Sequence, residues 1–185
     1  VFFMCNKALT SCSINVFNKR SICSICKHKA KKGFKIFKER NPNSELVKIS
    51  RKDIINNSKV SNINNEIDKE LLFGVHSTIS TQLRLDNMEL LDKRWKKIKK
   101  KMHESSIGLY YYFDKFLKNT KVNNFIIFNG RVSCARPLIE VSKNNNVNFN
   151  LFDAKNNGKI PYLSFNEMFH SINFEKKHAL KLYVK

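Results

Sequence analysis

The stretch NFIIFNGRVSCARP, residues 124–137, is the strongest indication of the fold in this sequence. Residues 125–128 form an uninterrupted apolar run, which is typical of a strand buried on both faces in the parallel sheet of an α/β protein. The polar triplet Asn129, Gly130 and Arg131 follows at the carboxyl end of that strand, where open α/β sheets bind ligands. Gly130 permits a positive φ, and Arg131 offers a planar five-donor fork to an anionic or polyhydroxylated ligand. A plain Asn-Gly turn with a solvated arginine is the alternative that these residues leave open.

A helix and a second strand follow the triplet. Residues 133–143 have helical spacing, and Pro137 is tolerated only in the first turn of that helix. Residues 147–153 alternate apolar and polar side chains as a strand does. Together with residues 125–128 they predict one βαβ unit, and the short segment 160–163 follows a turn at Asn157-Gly158. The sequence therefore predicts an α/β fold with a Rossmann-like open, mostly parallel sheet flanked by helices.

Further elements are predicted on the amino-terminal side of this unit. Residues 1–4 read as a strand, residues 27–38 as a basic surface helix, and residues 39–65 as a variable loop with at most short helical pieces. Residues 74–78 predict a hydroxyl-rich turn at the rim of the ligand-binding crevice, which open α/β sheets form at the carboxyl ends of their strands. An amphipathic helix is expected to start at Asp86, and residues 106–117 predict a second helix whose aromatic side chains belong to the core.

Length, composition and charge limit the classes of protein. A chain of 185 residues that is 42% hydrophobic predicts one domain over residues 1–185, and it contains no apolar run of membrane-spanning length. The formal net charge of +20 attracts any polyanion. We attribute most of it to the Lys- and Asn-rich composition that an AT-rich genome produces, and next to contact with an anionic membrane surface. Specific nucleic-acid binding is not expected.

Four cysteines lie in the cysteine cluster, residues 5–26. They are Cys5, Cys12, Cys23 and Cys26. Thiolates two residues apart, as in Cys23 and Cys26, suit one tetrahedral zinc ion, whereas the Cys5 and Cys12 spacing is looser. A structural zinc site, a disulfide or redox pair, and buried unligated thiols are the three interpretations that the spacing leaves open. Cys134 is expected to be ordinary packing.

Several of these segments resemble bacterial capsular-polysaccharide and surface-glycan glycosyltransferases of the type with two Rossmann domains. The resemblance covers most of the chain outside the 40s to 60s. It lies in the strand that ends in Phe128-Asn129-Gly130-Arg131, in Arg136, in residues 147–153, in the Phe165-Asn166 to His170 stretch, and in the cysteine cluster. The chain has Asp153-Ala154-Lys155 where that family often has Glu-x-Gly after the second strand.

The resemblance implies that the chain is the amino-terminal, acceptor-side domain of such an enzyme, with the donor-binding carboxyl-terminal domain absent. Its function would be to help move a sugar from a nucleotide-sugar donor to a growing capsule or other surface polysaccharide, and the isolated chain would be inactive. The implied location is the cytoplasm, at the inner face of the plasma membrane if the basic surface contacts lipid. The implied substrate-binding residues are Asn129, Gly130, Arg131, Arg136 and Asn166.

No catalytic residue follows from the sequence. His76 and His170 lie near the proposed crevice loops and are weak candidates for a general base, each weighed against a structural role. A zinc-stabilised, basic nucleic-acid-binding protein is the alternative function, supported by the charge and by the Cys23/Cys26 spacing. No Walker loop, G-x-S-x-G or G-x-G-x-x-G motif indicates a self-contained enzyme.

Overall fold

The computed structural model describes residues 1–58, 63–85, 87–155 and 160–166, and these residues form an α/β structure. The strands are β1 (Phe2–Cys5), β2 (Leu46–Ile49), β3 (Asn124–Phe128), β4 (Asn148–Lys155) and β5 (Ile160–Phe165). The helices are α1 (Arg20–Arg40), α2 (Arg51–Ser58), α3 (Asn65–Leu83), α4 (Lys93–Asn119) and α5 (Arg136–Asn144), and a short 3₁₀ turn spans Met88–Leu90. The α/β class predicted from the sequence is confirmed.

The first half of the chain contains a parallel pair of strands. β1 and β2 pair in register from Phe2 opposite Leu46 to Cys5 opposite Ile49, and α1 connects them. The ring of Phe2 lies 5.5 Å from that of Phe34 in α1, which holds one side of the helix against β1. α1 buries none of its residues fully, so the predicted basic surface helix is confirmed and is longer than residues 27–38.

The prediction that residues 39–65 form a variable loop with at most short helical pieces is wrong for β2, whereas α2 is one such short helical piece. β2 completes the small sheet with β1, and α2 packs against α4. The β2 run LVKI is only four residues long. Such a short segment shows no sustained period, and its partner β1 lies more than 40 residues earlier in the chain, so its sequence alone does not identify it as a strand.

The second half contains the predicted βαβ unit. β3 and β4 are parallel, from Asn124 opposite Asn148 to Phe128 opposite Phe152, and α5 connects them. β5 pairs antiparallel with β4. Pro137 lies in the first turn of α5, as predicted. The strands thus form a two-stranded sheet and a separate three-stranded sheet, in the orders β1-β2 and β3-β4-β5.

The prediction that β3 is buried on both faces is wrong. Phe125 and Ile127 are buried, whereas Ile126 is 76% exposed and Phe128 is 61% exposed. α5 packs against the inner face of β3 and β4, where Ile127 and Leu151 lie in the core with Ile139. On the outer face Ile126 and Phe128 are in register with residues of β4 and β5. Their apolar partners there are Phe152, Leu163 and Phe165, which are also exposed.

α3 and α4 are long helices that pack against each other beside the sheets. Residues 74–78 lie inside α3, so the predicted hydroxyl-rich turn at that point is wrong. The helix predicted to start at Asp86 begins instead at Lys93, and it is continuous with the helix predicted over residues 106–117 as α4. Asp92 caps α4 by accepting a hydrogen bond from the Trp95 amide at 2.8 Å. Asp86 lies outside the described residues.

A shared core joins the two sheets. The Phe113 ring of α4 lies 4.9 Å from the Phe3 ring of β1 and 5.9 Å from the Phe125 ring of β3. Tyr110 and Phe113 are buried, as predicted for the aromatic residues of this helix. In the part of the chain that the structure describes, no helix is long and apolar enough to cross a membrane.

Candidate functional site at the carboxyl ends of the strands

A strained turn ends β3 at the predicted triplet. Asn129 and Gly130 both have positive φ, at 62° and 73°. The Asn129 side chain holds this turn, because Nδ2 donates to Asp153 Oδ2 at 2.8 Å and Oδ1 accepts from the Arg131 amide at 3.2 Å. Asn129 is therefore a positioning residue for the loop, and Asp153 is a partner that the sequence analysis did not identify.

Gly130 is required by packing as well as by its backbone conformation. A Cβ atom at this position would lie 2.6 Å from Ile139 Cδ1 and 3.0 Å from both methyl groups of Leu151. Positive φ is also unfavourable for residues with a side chain. The loop therefore passes directly over the core between β4 and α5, which fixes its height above the sheet.

Arg131 is the member of the triplet with donors to spare. Its side chain is half-buried, and among the described residues its Nε atom, hidden from solvent, has no hydrogen-bond partner. A guanidinium has no acceptor capacity, so such a group is satisfied by an anion, a hydroxyl oxygen or water. This is the property that the predicted ligand-binding role needs.

Arg136 is buried and ion-paired inside the protein. It is 7% exposed, its Nη2 pairs with Glu70 of α3, and its Nε lies 3.2 Å from Glu140 Oε1. Burial lowers the pKa of Arg136, and Glu140 opposes that effect. The structure thus gives Arg136 two internal carboxylate partners and shows it linking α5 to α3, while its predicted contact with a substrate stays a prediction.

Asn166 lies at the other end of the strands from the triplet. Its Oδ1 accepts the Phe149 amide hydrogen bond at 2.7 Å, and its own amide donates to the Phe149 carbonyl at 2.8 Å. Phe149 is near the start of β4, whereas Asn129 bonds to Phe152 near its end. The structure therefore does not bring Asn166 together with the triplet.

Of the two candidate histidines, His76 is among the described residues. His76 lies within α3 and faces α4, with Lys99 and His103 as neighbours. Burial, followed by those two groups, lowers the pKa of His76, so the imidazole is neutral at neutral pH. His170 lies outside the described residues.

The loop after β1 brings the cysteines close to the loop after β3. The Ser13 hydroxyl lies 3.2 Å from Cys134 Sγ across 121 residues of sequence. Backbone amides of Ala8 and Asn15 each donate to the sulfur of the cysteine three residues earlier, at 3.3 Å, and Asn15 Nδ2 donates to Cys23 Sγ at 3.1 Å. Sulfur atoms that accept N–H bonds are favoured as thiolates or metal ligands.

Burial and neighbouring thiols oppose ionisation in this cluster. Burial raises the pKa of Cys12 to about 11, and Cys134 and Cys5 add to that rise. The pKa of Cys134 is also raised, chiefly by burial. All five cysteines are free thiols, and among the described residues no three His, Cys, Asp or Glu side chains are placed to hold one metal ion. The zinc site therefore stays a prediction.

Hydroxyl groups that the sequence analysis missed join the two loops to the helices. The Thr10 and Ser105 hydroxyls are 2.8 Å apart, and the Ser106 hydroxyl donates to the Ser133 carbonyl at 2.8 Å. The Ser133 amide in turn donates to Thr78 Oγ1 at 2.9 Å. The only sequence indication was the group of small residues Ser105, Ser106 and Gly108 inside an otherwise bulky helix, because small side chains allow close approach of a loop.

Two concave regions border these elements. One lies between α3 and α5 and contains Glu66, Glu70 and Glu140 together with Lys69 and Lys143. Its charges are partly paired internally, since Lys143 and Arg136 both contact Glu140. The other lies between the loop after β1 and the first half of α4. Comparison of the chain with protein-family models, with curated proteins and with solved structures finds no match.

Proposed function

We propose that this chain is the acceptor-side domain of a glycosyltransferase that moves a sugar from a nucleotide donor to a growing surface glycan. The observation that supports it is the loop Asn129-Gly130-Arg131, which is fixed over the carboxyl end of a parallel strand and presents an arginine with spare donors. Ligands of open α/β proteins bind at this edge. The proposal includes a Rossmann-like arrangement of the strands and a location in the cytoplasm.

In this proposal Arg131 binds and orients the glycan acceptor. Its planar fork can donate to two ring or hydroxyl oxygens at once, and Asn129 and Gly130 hold its backbone in place. The nucleotide-sugar binds mainly to a second domain, so the chain alone binds acceptor without turnover. His76, neutral at pH 7, and His170 stay weak candidates for the base that accepts the proton of the attacking hydroxyl.

Arg131→Ala tests this assignment in the two-domain protein that the proposal implies. We expect sugar transfer to fall at least tenfold, which corresponds to about 1.4 kcal/mol of lost transition-state stabilisation. The free energy of unfolding should change by less than about 0.5 kcal/mol, because no partner within the described residues holds Nε. Arg131→Lys should restore little transfer, since an ammonium group cannot reproduce the fork.

Arg40→Ala is the matched control, because Arg40 is exposed at the end of α1 and equally removes one positive charge. Radiolabelled sugar incorporation measures transfer, and urea unfolding measures stability. Normal transfer by Arg131→Ala would show that the triplet is only a turn. A large loss of stability would instead make Arg131 a structural anchor.

A structural zinc site at Cys5, Cys12, Cys23 and Cys26 is the second proposal, and the observation that favours it is the set of N–H···S bonds in the loop after β1. Zinc would require these thiols to be deprotonated, although burial raises the pKa of Cys12. Such a site would also suit the alternative function, a zinc-stabilised basic nucleic-acid-binding protein.

Metal analysis of protein prepared under reducing conditions tests the zinc proposal. We expect about one zinc per chain in the native protein and a loss of most of it in Cys23→Ser, together with a lower Tm. Ser24→Ala, a change at the neighbouring exposed position, should keep the metal. Native protein without metal would refute the site, and with it the zinc-dependent alternative.

A further inference from the structure

A basic cavity of about 310 Å³ lies between the loop after β1 and the first three turns of α4. Arg94, Lys97 and Lys101 provide its charge. Thr10, Phe17 and Asn18 of the loop complete the polar and aromatic part of its wall, and Val16 and Ile98 form its apolar part. Among the described residues, no carboxylate lines this cavity.

The spacing of the three cations places them on one side of α4. Lys97 and Lys101 lie three and seven positions after Arg94, on the same face of the helix, and each turn advances about 5.4 Å. Within the described part of the chain none of the three forms an ion pair with a carboxylate. Like charges this close repel one another, so an anion held among them would relieve that repulsion.

Aromatic contacts hold the first of these cations in position. The guanidinium carbon of Arg94 lies 4.2 Å from the centroid of the Phe17 ring, and that ring meets Trp95 edge-on at 5.6 Å. A guanidinium stacked on a ring keeps its N–H groups free along the edge of its plane. Arg94 is therefore oriented while its hydrogen bonds remain available to a ligand.

The loop that forms the opposite wall is also fixed. The Ser11 hydroxyl donates to the Val16 carbonyl at 2.7 Å, and the Thr10 hydroxyl donates to the Lys101 carbonyl at 3.1 Å. Asn18 has a positive φ of 54° and bonds through its amide to the Asn15 carbonyl at 3.1 Å. A solvated helix face needs no such wall, so the cavity favours a binding site over a merely exposed basic stripe.

We propose that this cavity binds a small molecule that carries two linked phosphate groups. Three cations spread over two turns match the length of a diphosphate better than that of a single phosphate, and arginine binds phosphate oxygens in pairs. The volume is at the lower end of small-molecule sites and is far too small to admit a nucleic-acid duplex. This inference does not depend on the sugar-transfer proposal.

Inorganic pyrophosphate is the probe, and Trp95 is the reporter because it is the single tryptophan of the chain and contacts Phe17. At about 150 mM NaCl, where exposed charges are largely screened, the fluorescence change should saturate. Pyrophosphate should bind at least tenfold more tightly than inorganic phosphate. The double variant Arg94→Gln/Lys97→Gln should weaken binding at least tenfold.

Lys96→Gln/Lys100→Gln is the matched control, because it removes the same charge from the same helix at exposed positions that do not line the cavity. Its affinity should equal that of the native protein, and circular dichroism checks that both double variants are folded. Equal losses in the two double variants, or no saturation with pyrophosphate, would overturn the site. Tight binding of single-stranded RNA that depends on Arg94 and Lys97, without pyrophosphate binding, would also overturn it.

Discussion

Arg136 shows what a single residue's sequence context leaves undetermined. Its position just after a strand end and next to Pro137 resembles that of a ligand-binding arginine, yet its guanidinium pairs with Glu70, 66 residues earlier, and with Glu140. Burial of an arginine requires such partners. A partner that far away in sequence cannot be predicted from one chain, whereas the Gly130 turn could be, because its Asn-Gly pair is a local signal.

His76 gives the clearest pH dependence at the scale of one residue. Burial, then Lys99 and His103, lower its pKa below the value of the unfolded chain. Protonation therefore opposes folding, so the stability that neutral His76 contributes is complete above the unfolded pKa of about 6.5 and is lost as pH falls through the lower folded pKa. Urea unfolding between about pH 7.5 and pH 5 should show this loss in the native protein.

His76→Gln is the variant that isolates the effect. It should be less sensitive to acid over the same range, because glutamine does not titrate. His28→Gln, the same substitution on the surface helix α1, is the matched control. If the native protein and His76→Gln lose stability in parallel, the imidazole is not responsible.

The strand β3 shows the limit of periodicity at the scale of an element. A continuous apolar run predicted its existence and its parallel partner, both of which are confirmed. It also predicted burial on both faces, which is wrong, because periodicity reports where side chains alternate and not whether anything covers the second face. β2 was missed because four residues carry too little pattern. α3 was not predicted as a helix, since residues 74–78 were read as a turn, and α4 was predicted as two helices.

Two helical glycines should respond oppositely to alanine. Gly33 in α1 has no atom within 4 Å of an added Cβ, so Gly33→Ala should raise the free energy of unfolding by about 0.5–1 kcal/mol through helix propensity. At Gly108 in α4 an added Cβ would lie 2.4 Å from the Ile54 carbonyl oxygen. Gly108→Ala should therefore lower the free energy of unfolding by about 1–3 kcal/mol.

Thermal and urea unfolding of the two variants measure these changes, and each variant serves as the control for the other. If Gly108→Ala is as stable as the native protein, α2 does not pack closely against α4. If Gly33→Ala is destabilised, the middle of α1 is not exposed.

For the whole molecule, the βαβ pattern of residues 125–153 predicted the α/β class, which is confirmed. The strands form two sheets, and Phe113 packs against both. The triplet of the candidate site was visible in the sequence. The contribution of the loop after β1 was not visible in the sequence, because its contact between Ser13 and Cys134 joins residues that are 121 positions apart. The sequence also does not show which cations line the basic cavity, because seven of the nine residues 93–101 are Lys or Arg. Three of them line the cavity only because the loop after β1 lies opposite them.

The loop after β1 contacts the loop after β3 through Ser13 and Cys134, and we propose that the two loops form one site. The most direct test is the disulfide between Ser13→Cys and Cys134 in a Cys12→Ser background, because the present oxygen–sulfur distance is 3.2 Å. Mild oxidation with a glutathione redox couple should form this bond in the folded protein, and peptide mass mapping should identify it. The closed loop should raise the free energy of unfolding by about 3–5 kcal/mol.

The Cys12→Ser protein with Ser13 intact is the control and should keep Cys134 reduced under the same conditions. The cross-link between position 13 and Cys134 should form in preference to pairs with Cys5, Cys23 or Cys26. Folded protein that leaves Cys134 unpaired after Ser13→Cys would show that the two loops do not share one site.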